Sequence, residues 1–138
     1  MGVLADFFAA TDATAPRYTE HPDEFPHRVE AKRLTSLEVS TLLALLTGRE
    51  WTEALMDELE TIVFENDGEL LIHRFPPAMV ERLAGASAET IATVGAAWAE
   101  TEELRWPPSD GRDFVQALAS LCQAAQKASR SVYLWNCV

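Results

Sequence analysis

The sequence predicts one α+β domain: a small sheet that includes both terminal strands, with about five helices packed over it. Three observations carry this. The segments at the two ends, residues 3–10 and 131–138, are rich in apolar and β-forming residues on both alternating sets of positions. Between them, five stretches show helical caps or helical apolar spacing. The chain has 138 residues, 48% hydrophobic and 24% charged, which matches one core-forming domain and excludes disorder, collagen and coiled coil.

Each element follows from local chemistry. Val3, Ala5, Phe7 and Ala9 alternate with Leu4, Asp6, Phe8 and Ala10, so residues 3–10 read as a strand buried on most of its surface. Pro16, Pro22 and Pro26 lie among Thr, Asp and Glu and make residues 11–27 an irregular connection. His27 to Leu34 suits a short edge strand. Thr35-Ser36-Leu37-Glu38 has capping-box form, with Leu34 and Val39 as the hydrophobic staple. The helix it opens runs through Leu42, Leu43, Leu45 and Leu46 to Gly48, with apolar residues around much of its circumference.

A second helix is expected from Trp51 or Thr52, with Trp51, Leu55, Leu59 and Ile62 as its stripe. Asn66-Asp67-Gly68 is a turn signal that joins 61–64 to 69–75 as a hairpin and shortens that helix to about residue 60. Pro76-Pro77 ends the strand at 69–75 and opens a third helix, closed at Gly85. Ser87 caps a fourth, which reaches to about Glu103 on the stripe Ile91, Val94 and Trp98. Trp106-Pro107-Pro108 breaks the chain. Ser109 then caps a last helix whose core face is Phe114, Val115, Leu118, Leu121, Cys122 and Ala125. The tail from Ser131 contains no breaker and reads as a terminal strand, covered on both faces and paired with residues 3–10.

Charge narrows the function. Lys+Arg is 11 against 22 Asp+Glu, a formal −11, and residues 34–105 carry fourteen acids against four bases. Binding to nucleic-acid phosphates needs cations, so no nucleic-acid partner is expected. No run approaches the ~20 apolar residues of a bilayer span. The first residues carry no Lys or Arg before their apolar stretch, and Asp6 interrupts it. No signal peptide, no membrane association and a cytoplasmic address are therefore expected. Cys122 and Cys137 are expected as reduced core residues, a disulfide onto the tail being the alternative.

Candidate sites follow from clustering. Glu53, Asp57 and Glu60 share a helical face, and Glu100, Glu102 and Glu103 lie with Arg105 beside Trp98 and Trp106. Such acids read either as a solvated surface or as a docking face for a basic protein partner. His73 stands alone at a strand end, as a core or rim residue or as an acid–base group. His21, Asp23, Glu24, His27 and Glu30 are metal-ligand types, but prolines break their spacing, so a polar loop is expected, with no metal and no cofactor. The four tryptophans read as core and staple residues rather than a ligand cage; if one belongs to a pocket it is Trp106, which Pro107-Pro108 holds in a break. No G-x-S-x-G, P-loop, G-x-G-x-x-G, H-E-x-x-H or paired C-x-x-C occurs.

Met1-Gly2 running into a strand, Arg74-Phe75-Pro76-Pro77 running into a helix, and Trp98-Ala-Glu-Thr-Glu-Glu103 resemble small bacterial proteins of unknown function. The resemblance covers most of the chain and implies no activity, and no catalytic residue comes with it. The expectation is a non-enzymatic interaction or regulatory module with an acidic docking surface at residues 50–69 and 100–103. The alternative is a small-molecule-binding protein or an unusual small hydrolase, with a cleft near His73, Glu102 and Trp106.

Overall fold

The computed structural model describes residues 3–138; Met1-Gly2, which lead into the first strand, lie outside the described residues. The expected strand at 3–10 forms as β1, Leu4–Ala10, and the edge strand as β2, Arg28–Lys32. Helix α1 (Ser36–Thr47) and helix α2 (Glu53–Asp57) precede the hairpin of β3 (Glu60–Glu65) and β4 (Leu70–Arg74). Helices α3 (Pro77–Gly85), α4 (Ala88–Ala99) and α5 (Pro108–Lys127) lead to the terminal strand β5, Ser131–Cys137. The strands form one antiparallel sheet in the order β2-β1-β5-β4-β3.

The two terminal strands are thus neighbours, and β5 is central. Leu4 pairs Cys137 and the register runs without a break to Ala10 opposite Ser131. Alternation then assigns the faces. Ala5, Phe7, Val132 and Leu134 look toward the helices and join a core with Leu34, Leu42, Met79, Trp98 and Leu118. Phe8, Ile72 and Tyr133 look the other way, where the 11–27 connection folds two 3-10 turns back and contributes Ala15, Tyr18 and Phe25. Tyr18 stacks on Phe8 with ring centroids 4.1 Å apart, and its hydroxyl donates to Asp6 Oδ2 at 2.8 Å. The Tyr133 hydroxyl donates to Asp12, and Trp135 Nε1 to Thr19 Oγ1 at 3.0 Å. Burial raises the Tyr18 and Tyr133 phenols and the Asp6 carboxyl above their ordinary pKa values.

On the helical side, α1 has the expected capping box and ends at Gly48 in the left-handed region, φ 66°. Residues Glu38 through Ala44 are all buried, so α1 is enclosed on more than one side. Trp98 is fully buried and its indole N–H donates to Glu38 O at 2.9 Å and Thr41 Oγ1 at 3.1 Å. Helices α4 and α5 cross at their glycines: a Cβ on Gly111 would stand 2.2 Å from Gly95 O. Only hydrogen at both positions allows that approach.

Three local expectations change. Helix α2 has only five residues, because the Asn66-Asp67-Gly68 turn claims residues 60–65 for a strand. Its proposed stripe is therefore divided: Leu55 and Leu59 are buried, Ile62 lies in β3, and Trp51 precedes the helix, 40% exposed, donating from Nε1 to Ser40 Oγ at 2.8 Å. Helix α4 stops at Ala99 rather than Glu103, since the chain turns back and the Trp106 amide donates to Ala99 O. Helix α5 starts at Pro108 with Pro107 in the cap position, not Ser109, because proline's fixed φ suits the first helical position, where its missing amide costs no hydrogen bond. As expected, Cys122 and Cys137 form no disulfide, and burial pushes the Cys122 thiol up to about 12.

Candidate functional site

The acidic stretch 50–69 resolves into helix α2, strand β3 and the turn behind it. Glu53 opens α2 and Asp57 closes it, one helical turn apart, while Glu60 is the first residue of β3. The three acids therefore do not lie on one helical face, although all three are exposed. Arg49 donates to both carboxylate oxygens of Glu58, at 2.8 and 3.1 Å, and this bond holds the Glu58 carboxyl below its ordinary pKa. Arg74 bridges Asp12, at 2.7 Å, and Glu60. Glu53, Asp57, Glu65, Asp67 and Glu69 form no ion pair among the described residues.

Strand β3 has a neighbour on one side only, so it is an edge of the sheet. Within it Ile62 and Val63 are half-buried and Phe64 is 65% exposed, the most exposed large apolar side chain described. The turn that sets this strand places Asn66, Asp67 and Gly68 at φ 53°, 55° and 91°. Asn, Asp and Gly tolerate that region best, so the turn chemistry fixes where β3 ends. Phe64 was not among the residues the sequence singled out. Its signal was an aromatic residue next to a turn and between acids.

The second acidic group lies on the α4–α5 connection. Glu100 caps α4, and Glu102 and Glu103 follow in an exposed turn; none of the three forms an ion pair among the described residues. Trp106 packs edge-on against Trp98 and Phe114, with centroids 5.5 and 5.8 Å away. It lines an open groove of about 400 Å³ with Asp110, Asp113, Phe114 and Ala117. Neither His73 nor Glu102 lines that groove.

His73 sits instead in β4, opposite Leu134 on β5 and Thr61 on β3, so it faces the helices. It is 7% exposed, its Nδ1 has no hydrogen-bond partner, and burial lowers its pKa. On the next strand Asn136 donates to Leu4 O and Leu34 O while its Oδ1 is unpaired. In the 21–30 stretch, Glu24 bonds Arg17 and Glu30 bonds Arg28, so both carboxylates have cationic partners. Among the described residues, no helix is long and apolar enough to cross a membrane. Comparisons with protein families, with curated proteins and with solved structures gave no match to this chain.

Proposed function

We propose that this chain is a non-enzymatic interaction module that takes a basic, extended segment of a partner protein along the outer edge of β3. The observation that carries the reading is an open strand edge presenting Phe64 beside Glu65, Asp67 and Glu69, which form no ion pair among the described residues. A peptide added to a sheet edge gains main-chain hydrogen bonds, and its side chains supply specificity. Here the specificity is for cations. Glu60, Glu65, Asp67 and Glu69 surround the aromatic ring in sequence, and Glu53 and Asp57 add to the field from α2. The same carboxylates oppose pairing of two copies through β3, since Glu60 and Glu65 of each would meet acids of the other. They repel self and favour a Lys- or Arg-bearing strand.

A synthetic peptide of roughly ten residues alternating Lys with Val or Thr, a strand-length probe, tests this by fluorescence anisotropy. Binding is expected at low ionic strength and is expected to weaken steeply as salt shortens the Debye length. Phe64→Ala weakens it further. Equal binding of an alternating Ser and Val peptide, or affinity indifferent to salt, would sink the reading. The Trp106 groove favours a second reading, a small-molecule site; a ligand-induced rise in melting temperature abolished by Trp106→Ala supports it.

A further inference from the structure

Against the acidic surface, one cavity is lined by two arginines and a single carboxylate. This cavity of about 450 Å³ opens where the end of β1, the 11–27 connection and the α5–β5 turn meet, and Arg17, His27 and Arg130 converge on it. We infer that this cavity is a binding site for a small organic anion, with a carboxylate or phosphate head held by Arg130 and Arg17 and an apolar body seated on Ala9, Ala10 and Phe25.

Arg17 and His27 come from the 11–27 connection and Arg130 from the α5–β5 turn, so local sequence charge does not explain their meeting. Arg130 follows Ser129, whose φ of 56° turns the chain sharply between α5 and β5. Arg17 belongs to the first 3-10 turn and His27 to the residue before β2. A basic residue after a helix offsets the partial negative charge of the helix C-terminus, which accounts for Lys127 and Arg130 singly. It does not account for Arg17 and His27 beside them.

The availability of donors supports the assignment. Among the described residues only one nitrogen of Arg17, Nη2, is engaged, 2.9 Å from each oxygen of Glu24. Its remaining N–H groups stay free for a second acceptor. The Arg130 side chain forms no ion pair among the described residues. The Thr14 hydroxyl on the wall is engaged with Thr11, and Glu24 is the single carboxylate among the lining residues. Two guanidiniums against one carboxylate leave a net positive cavity in a chain of formal charge −11. Its volume suits a small molecule, and its mixture of apolar floor and few convergent polar groups is that of a ligand pocket. The carboxylate-rich surface elsewhere repels the same anion, so the cavity is where it concentrates.

Calorimetric titration of the full chain tests the assignment with phenyl phosphate and benzoate as probes, inorganic phosphate as the head alone, and benzyl alcohol as a neutral comparator. One or both aromatic anions are expected to bind, the stronger identifying the head as phosphoryl or carboxylate. Arg130→Gln, at an exposed position, is expected to weaken binding by about tenfold, the loss of one charge-assisted hydrogen bond, with an unchanged melting temperature. Arg17→Gln is the second variant and should act in the same direction. Benzyl alcohol binding as tightly as the anions, no binding of either anion, or full affinity in both folded variants overturns the proposal. Inorganic phosphate binding as tightly as phenyl phosphate overturns the apolar seat.

Discussion

The centre and the β3 margin of the sheet follow opposite rules. In the centre, Val132, Tyr133 and Leu134 are completely enclosed, covered by helices on one side and by aromatic residues of the 11–27 connection on the other. At the margin no residue of β3 is fully buried, α2 beside it has five residues, and Phe64 stands in solvent among acids. The difference separates stability from recognition. Side chains at the centre have their partners within the fold, whereas the margin leaves backbone groups, an aromatic ring and carboxylates unmatched.

The sharpest way to break this comparison is to remove the centre. Deleting residues 132–138 takes out the strand between β1 and β4 and should leave a chain with no cooperative thermal transition, or an insoluble one. A truncated chain that stays monomeric and melts within a few degrees of the full protein would show that β5 is dispensable. Next in size is Gly111→Ala. Its methyl group would meet the Gly95 carbonyl oxygen 2.2 Å away, so α4 and α5 must separate at a cost of about 1–3 kcal/mol or more. Urea denaturation reads this directly, and a change within error would mean the helices slide freely.

The aromatic side of the centre is probed more gently. Tyr18→Phe keeps the stack on Phe8 and leaves Asp6 without its donor, with an expected loss of about 0.5–1.5 kcal/mol in the same assay. His73 tests the helical side through pH. Burial lowers its pKa in the fold, so the unfolded chain binds the proton more readily. The stability this contributes is fully present above the ordinary imidazole value of about 6.5 and is lost as pH falls below it. His73→Leu should flatten the decline in denaturation midpoint between neutral pH and mildly acidic pH. An equal slope in both proteins would show that His73 does not set the decline.

How much of this was legible depended on how local the cause was. The α1 cap at Thr35, its stop at Gly48, the Asn66-Asp67-Gly68 turn and the Ser87 cap are set by neighbouring residues and could be read directly. The doubly apolar tail also announced its buried strand. Residues 11–27 were read as an irregular connection, and nothing local reveals that Tyr18 and Phe25 fold back to cover Phe8 and Tyr133. The contacts with β5, such as Tyr18 on Trp135, join segments more than a hundred residues apart. The acids at Glu53, Asp57 and Glu60 were legible as charge but not as geometry, because helical spacing was extended across a strand boundary. His73, Glu102 and Trp106 looked like neighbours through composition alone; alternation along β4 turns His73 beneath the helices, away from the Trp106 groove's lining. The meeting of Arg17, His27 and Arg130 depends on three separate turns and left no pattern in the sequence.

The margin is the place to test the functional reading. Removing Phe64 should scarcely change stability, within about 0.5 kcal/mol for an exposed surface substitution, so binding and folding can be read separately there. The most direct measurement is amide hydrogen exchange of the full chain with and without the alternating Lys peptide. Slowed exchange concentrated in Glu60–Glu65, absent with the Ser analogue, is the result expected of a strand added to β3. Unchanged β3 amides with protection appearing instead around Glu100–Trp106, or no protection anywhere at saturating peptide, would contradict the assignment of this edge as the docking site.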